Sequence, residues 1–444
     1  MAVIAESIHT LSQIWKNPRR TREAITAFQN RKLRAIIDYA YRHVKYYRHL
    51  FDAHGIRPEH VKTTADLSLI PITSVQDYRT RSFEEVFSSE FDPKKTVRRS
   101  TSGSSGRPFS VYRTPWEDHL INLFHIRIIQ QFGVRFFYKT ANIRLVSASH
   151  QRDSVVGSIR QAFGIYRQYP IHSLLPEDEI LHKLALLKPD VLFGYPTVLA
   201  NIAKLADSER PLGFDPKFII AGGEAVTPFR RHQIERGFRK TVYGIYGAHE
   251  FNKLAWECPE SGNYHVCDDN VILEVLQNGR QAAVGERGEV VATGLHTYAM
   301  PFIRYRLGDI ATRGPEVCPC GQPFSTLGDV QGRLHDYFRL PDRRLMHPDK
   351  IVVPIMENES AWFDRYELVQ EELNRIVLRI QPFQNPSKKQ LINVKRLAMD
   401  QLPPDVDFRI EIVDEHAFKS EGKFRFCRSL VHSHSETILW DEFY

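Results

Sequence analysis

With 444 residues, 42% of them hydrophobic and 25% charged, the chain has the make-up of a packed globular protein and neither a disordered nor a fibrous one. Its net charge of +7 is spread over short basic clusters such as Arg19 and Arg20, Arg98 and Arg99, and Arg230 and Arg231. No polybasic block marks a nucleic-acid surface, although anionic small molecules are favoured.

The N-terminal stretch MAVIAESIHTLSQIW carries Glu6 and Ser7 and lacks both a basic start and a long apolar core. It therefore reads as neither signal peptide nor membrane span. Five cysteines, an odd number, do not build a disulfide framework and fit a reducing, cytoplasmic compartment. From Arg31 to Gly55 the residues Leu33, Ile36, Ile37, Ala40, Val44, Tyr47, Leu50 and Phe51 recur at helical spacing. The pattern predicts one amphipathic helix capped at Gly55. In TPWEDHLINLFHIRIIQQFG, Thr114 suits the cap, Pro115 the first helical position and Glu117 the third, so a helix is expected from about Pro115 to Phe132.

From Asn142 to Ala248 short apolar strands (NIRLVSAS, VLFGYP, KFIIAGG, TVYGIYG) alternate with helical segments, the pattern of parallel strands with helical crossovers. From Asn270 to Arg313 the segments VILEVL, GEVVATGL and FIRYRLGDIA read as hairpin strands. Beyond Gly332 the charged segments IVVPIM, RIVLRIQP, KKQLINVKRLAMDQL, DFRIEIVDE and FRFCRSLV suggest a small α+β domain of about a hundred residues.

One segment stands out as a loop, TSGSSGRP at residues 101 to 108, flanked by the strand-like KKTVRRS and FSVYRT. Backbone N–H groups of a glycine-rich turn, with added hydroxyls, can cradle phosphate; a plain surface turn is the other reading. Walker spacing is absent and a strand follows, so it is not a P-loop.

TSGSSGRP resembles the phosphate loop of adenylate-forming enzymes. The family's further signatures follow in order: AGGE at Ala221 to Glu224, YGAHE at Tyr246 to Glu250, YRLGD at Tyr305 to Asp309, GRLHD at Gly332 to Asp336, and GKFR at Gly422 to Arg425. LRAIIDYAYRHVKYYRHLF and TYAMPFIRYRLGD look especially like the phenylacetate–CoA ligase and CapK-like branch. The resemblance implies an α/β fold, with a large multi-subdomain adenylation domain of mixed sheets over 1–333 and a small, mobile α+β lid over 334–444, the active site lying between them.

The activity implied is attack of a carboxylate on the α-phosphate of ATP, then capture of the acyl adenylate. Thr101, Ser102, Gly103, Ser104, Ser105 and Gly106 would wrap the phosphates, with Arg107 standing where lysine is frequent. Gly222, Gly223 and Glu224 would line the adenine pocket and Tyr246 would stack on the base, with Gly247 beside them. Glu250 would hold Mg²⁺. His249 stands beside the α-phosphate where threonine is usual. Asp309 and Arg333 would bind the ribose, Asp336 would be the hinge, and Lys423 would balance charge at the α-phosphate.

Tyr195, Pro196 and Gly247 would border the acyl pocket, for an aromatic or small apolar acid. The resemblance implies a thiol acceptor, coenzyme A, in an aryl- or acyl-CoA ligase, with an amine or a hydroxyl as the alternative because FRLPDRRLMHP lacks the glycine-containing turn that commonly follows the hinge. A nucleotide-binding protein without turnover is the alternative from another class. No nucleic acid or membrane span is expected, and the oligomeric state is left open.

Cys258, His265, Cys318 and Cys320 would together make a Cys₃His set of the structural zinc type, with Cys267 as an alternative ligand. Small buried apolar cysteines are the other reading. Similar sets occur in members of the branch.

Overall fold

The computed structural model describes residues 12–100, 109–145, 166–207, 212–333, 337–342, 344–359, 362–414 and 427–431. The chain divides into two compact units, one of Met1–Leu276, Gln281–Leu307 and Ala311–Gln331, the other of Gln277–Arg280, Gly308–Ile310 and Gly332–Tyr444. Among the described residues no helix is long and apolar enough to cross a membrane.

The larger unit opens with α1 (Arg22–His43) and α2 (Lys45–Ala53). The single helix expected from Arg31 to Gly55 is in fact broken at Val44, which is extended at φ −123° and ψ 110°. The break lets two apolar stripes reach one core: Leu33, Ile36, Ile37, Ala40, Val44, Tyr46, Tyr47 and Phe51 are all buried in the same cluster. Long-range packing, not local propensity, decides this point.

Next come β1 (Val97–Ser100) and β2 (Ser110–Arg113). They pair antiparallel from Val97 with Arg113 to Ser100 with Ser110, so the Ser/Gly-rich stretch joins the arms of a hairpin. α3 (Pro115–Gln131) begins as its sequence requires. Thr114 accepts from the Glu117 N–H at 3.1 Å, and the Glu117 carboxylate accepts from the Thr114 N–H at 2.8 Å. The same carboxylate, only 4% exposed, also accepts from the Tyr298 and Ala299 N–H groups at 2.6 and 3.1 Å. It is thus both a helix cap and a bracket for a distant loop.

The body of the unit is one long mixed sheet. Its parallel part holds β3 (Lys139–Arg144), β4 (Arg167–His172), β5 (Val191–Gly194), β6 (Phe218–Gly222) and β7 (Val242–Ala248), ordered β4-β3-β5-β6-β7. The crossovers include α4 (Glu177–Leu187), α5 (Pro196–Asp207) and α6 (Pro228–Phe238). One face buries Ala141, Ile143, Leu192, Ile219 and Ala221 with residues of α4, α5 and α6. The other buries Val191, Ile220 and Ile245 with Ile128, Ile129 and Phe132 at the α3 end. Burial on both faces explains why these strands read as short continuous apolar runs.

The sheet continues antiparallel through β8 (Asn252–Glu257) and β9 (Tyr264–Val266). Beyond them lie β10 (Val271–Gln277), β11 (Arg280–Gln281), β12 (Arg287–Gly294), β13 (Tyr305–Arg313) and β14 (Thr326–Arg333).

The smaller unit has a short pair, β15 (Phe338–Arg339) with β16 (Leu345–Met346), followed by α7 (Asp349–Glu359). IVVPIM lies within α7, which continues through Pro354 and buries Ile351, Val352, Ile355 and Met356. Then come β17 (Phe363–Glu372), β18 (Arg375–Pro382), α8 (Lys388–Met399), β19 (Asp407–Ile412) and β20 (Cys427–Ser429), whose sheet order is β19-β18-β17-β20. Gln370 is fully buried in that sheet, yet its amide is satisfied by the Arg339 N–H and carbonyl at 3.0 and 2.6 Å.

Each buried N–H left without an acceptor costs about 1–3 kcal/mol, and loss of a cap about 1 kcal/mol. Glu117→Ala is therefore expected to destabilise the larger unit by about 2–4 kcal/mol, read as a fall in the urea midpoint. A change below about 0.5 kcal/mol would contradict the bracket.

Candidate functional site

Parallel strands deliver their carboxyl ends to one edge of a sheet, where loops can carry chemistry on a rigid base. Here Gly194 of β5 is level with Ala221 of β6, and Gly222 of β6 with Ile245 of β7. Tyr195 and Pro196 therefore follow β5, Gly223 and Glu224 follow β6, and His249 and Glu250 follow β7 at neighbouring points.

These ends are tied together by polar contacts. Glu224 accepts from the Thr197 N–H at 3.2 Å and from its hydroxyl at 2.8 Å. A carboxylate on the first turn of α5 suits both the free N–H group and the positive end of the helix, and it fixes the AGGE turn to the segment containing Tyr195 and Pro196. Gly223 has φ +83°, a conformation that disfavours other residues.

Tyr246 is 9% exposed and belongs to the apolar cluster containing Phe251 and Tyr305. Between Tyr246 and Gly247 the pairing with β8 shifts register, and a Cβ on Gly247 would stand 2.2 Å from the Asn252 carbonyl oxygen. The bulge turns the chain toward His249, which is exposed, and Glu250, which is half-buried. Glu250 accepts from the Tyr305 hydroxyl at 3.0 Å. Asp309 lies further along the same strand, β13, just after Gly308 at φ +75°.

The hairpin is secured to the same place. Arg113, 3% exposed at the end of β2, donates to the His249 carbonyl. Its guanidinium also pairs with Asp118 at 3.5 Å, and Asp118 receives Arg99 of β1 at 2.7 and 3.2 Å. Both arms of the hairpin thus meet α3, and one of them holds the YGAHE turn. Arg99, Arg113, Asp118, Thr197 and Tyr305 had carried no role in the sequence reading. The RRS and VYR flanks of the loop were the available signal for the two arginines.

Thr101, Ser102, Gly103, Ser104, Ser105, Gly106 and Arg107 lie outside the described residues, as do Asp336, Lys423 and the side chain of Arg333.

The cysteines form a separate group. Ligand atoms of Cys258, His265, Cys318 and Cys320 all lie within 4.8 Å of one another. The Cys258 and Cys318 sulfurs are 3.7 Å apart, and His265 Nε2 is 3.2 Å from the Cys320 sulfur. Burial holds the His265 pKa down to about 4, which keeps the ring in the neutral form that binds metals. Against the cost of burial, the backbone and hydroxyl of Ser261 hold the Cys258 thiol below its ordinary value. Cys267 does not join this set: it is fully buried beside Arg127, and burial pushes its thiol up to about 12.

No family model matches the chain. It is 26% identical over 327 residues to phenylacetate-coenzyme A ligase of Thermus thermophilus, a match spanning 71% of this chain and 72% of that one. It is 22% identical over 424 residues to Protein CapK of Staphylococcus aureus, spanning 92% and 90%. Among solved structures, 2-hydroxyisobutyryl-CoA ligase in its postadenylation state shares the fold, with a TM-score of 0.75 at 19% identity over 94% of this chain and 91% of that one.

The bulge at Gly247 leaves no room for a side chain, whereas Gly285, at φ +87°, faces open space. Gly285→Ala should cost about 1 kcal/mol through its backbone alone. Gly247→Ala should cost clearly more, seen as the lower unfolding midpoint of the two. The opposite order would contradict the close approach to Asn252.

Proposed function

We propose that this chain, which belongs to the adenylate-forming superfamily in its phenylacetate–CoA ligase-like branch, activates a small carboxylic acid with ATP and passes the acyl group to a thiol. Coenzyme A is the acceptor named for its relatives. In the first half-reaction a carboxylate oxygen attacks the α-phosphorus, the bond to the pyrophosphate oxygen breaks, and an acyl adenylate forms. In the second the thiol loses its proton and its sulfur attacks the acyl carbon, and AMP leaves carrying the carboxylate oxygen. Such chemistry depends on positioning and on cationic or N–H donors at the phosphates more than on a covalent enzyme group.

The observation that carries the reading is the bond from Arg113 to the His249 carbonyl. It ties the strand leaving the Ser/Gly-rich stretch to the turn bearing His249 and Glu250. We assign Thr101 to Arg107 to the phosphates, Gly222, Gly223, Glu224, Tyr246 and Gly247 to the adenine side, and Asp309 and Arg333 to the ribose. His249 would flank the α-phosphate, Lys423 would balance its charge, and Asp336 would be the hinge of a mobile C-terminal domain. Tyr195, Pro196 and Gly247 would border the acid.

Glu250 is a carboxylate of the kind Mg²⁺ takes alongside phosphate oxygens, and the Tyr305 hydroxyl orients it. The ion would neutralise phosphate charge when bound. The three thiols and neutral imidazole of Cys258, Cys318, Cys320 and His265 suit a structural Zn²⁺ that clips two loops together. The odd number of cysteines, five, fits a reducing, cytoplasmic setting.

With Mg-ATP and a panel of aromatic and aliphatic acids, AMP and pyrophosphate are expected only when acid is present. A requirement for coenzyme A in turnover would select the thiol acceptor; ADP as product would overturn the proposal. Metal analysis of the purified protein should find about one zinc per chain. Cys318→Ser should lose most of it and melt at lower temperature. Metal-free wild-type protein with an unchanged melting point would contradict the zinc assignment.

A further inference from the structure

Beside the carboxyl ends of β3 and β5, three basic side chains from separate elements gather without an acidic partner. They are Arg144 at the end of β3, His125 on α3 and Lys253 on β8, each half-buried. Phe193 of β5 joins two of them: the His125 ring meets it edge-on with centroids 5.6 Å apart, and the Lys253 ammonium lies 5.7 Å from its centroid. Tyr166 also meets the His125 ring edge-on, with centroids 6.4 Å apart. Both Tyr166 and Phe193 pack on the α3 face of the sheet.

Among the described residues no carboxylate pairs with Arg144, His125 or Lys253. Arg144 Nε and His125 Nδ1 are buried without any hydrogen-bond partner. By contrast the buried Arg127 and Arg304 are paired with Asp269 and Glu274, and the half-buried Arg231 with Glu257. Gathering like charges and unmet polar atoms is costly. Burial already pushes the Lys253 ammonium down to about 8, and burial with the two neighbouring cations pushes His125 well below its ordinary value. A bound anion would offset that cost. The cluster adjoins the proposed acid site directly, because Phe193 is two residues before Tyr195, and Arg144 is an electrostatic neighbour of Tyr195.

We propose that this cluster forms the far wall of the acyl pocket, and that the natural substrate is an aryl acid bearing a second anionic oxygen group on its ring. Phe193, Tyr166 and His125 supply aromatic walls, while Lys253 and Arg144 receive the anionic group. A ring carboxylate shares this chemistry with a phenolate, the form of a ring phenol that gives up its proton to solvent beside the Lys253 and Arg144 charges, and the test separates them. The assignment of the wall to an acyl pocket rests on the adenylation reading above.

The experiment measures equilibrium binding to the full chain, by calorimetry, of phenylacetate and of its 3- and 4-carboxy and 3- and 4-hydroxy derivatives. Acid-dependent ATP–pyrophosphate exchange is followed in parallel with the same compounds. At least one substituted acid is expected to bind ten-fold or more tighter than phenylacetate, a carboxy compound if the partner is a carboxylate and a hydroxy compound if it is a phenol. Lys253→Met should erase most of this preference and Lys253→Arg should retain it. Arg144→Gln, on a different strand, should weaken it as well. Phenylacetate binding as tightly as every derivative, or a preference unchanged in both Lys253→Met and Arg144→Gln, would overturn the inference. Absence of exchange with any acid would instead refute adenylation, while the binding preference would still decide whether the basic wall receives an anion.

Discussion

Three consecutive residues, Asp268 to Asn270, hold the larger unit together through buried polar bonds. Asp268 receives Arg22 and Gln29 of α1 together with the N–H and hydroxyl of Ser325. Asp269 receives Arg127 of α3 and, at 2.8 Å, Asn17, while its own carbonyl is bonded by His296 at 2.7 Å. Asn270 donates to the carbonyls of Phe251 and Lys253 at 3.1 and 2.9 Å. The Arg127 guanidinium, 1% exposed, is enclosed by the rings of Phe124, Trp256 and Phe324, each 5.1 to 5.4 Å away. Removing one member of such a pair strands the other charge in the core, at a cost of about 3–5 kcal/mol. This turn therefore fixes α1 and α3 against the antiparallel part of the sheet.

The consequence for the site is positional. Asn270 clamps the chain just after Glu250, at the start of β8, and α3 carries Asp118, which holds the two arginines of the hairpin. The YGAHE turn is thus gripped from its C-terminal side by Asn270 and at His249 by Arg113. Rigid strand ends and buried charge pairs supply the base, and Gly223, Glu224, His249 and Glu250, among the residues proposed to meet ATP, stand on short turns projecting from it. A site that must order flexible polyphosphate and hold an acid in line for attack gains from such prepaid order. The same turn also sets Lys253, whose carbonyl Asn270 holds, against Phe193.

What could be read in the sequence followed the range of the forces involved. The start of α3 was legible because Thr114, Pro115 and Glu117 settle it within one helical turn. The parallel strands were legible as apolar runs buried on both faces, and the hairpin arms as alternating segments. The break at Val44 was not, since it is set by where two stripes meet a distant core. The Asp268–Asp269 pair was also hidden, because adjacent aspartates ordinarily mark a solvated turn and only the fold brings Arg22 and Arg127 to them. Cys258, His265, Cys318 and Cys320 could be put in one group by residue type, and their ligand atoms do lie within 4.8 Å of one another, whereas Cys267 is separated from them by its burial beside Arg127. Motif order pointed to the turns at Gly222 and Tyr246, but Arg144, His125 and Lys253 belong to no motif and become a group only through the sheet.

The central claim is that a carboxylate oxygen becomes bonded to the α-phosphorus of ATP. It is tested most directly by following ¹⁸O from a doubly labelled carboxylic acid through a complete turnover and weighing the nucleotide products. The account predicts AMP carrying one ¹⁸O per acyl group transferred, with unlabelled pyrophosphate. Unlabelled AMP, or label found in inorganic phosphate beside ADP, would contradict it.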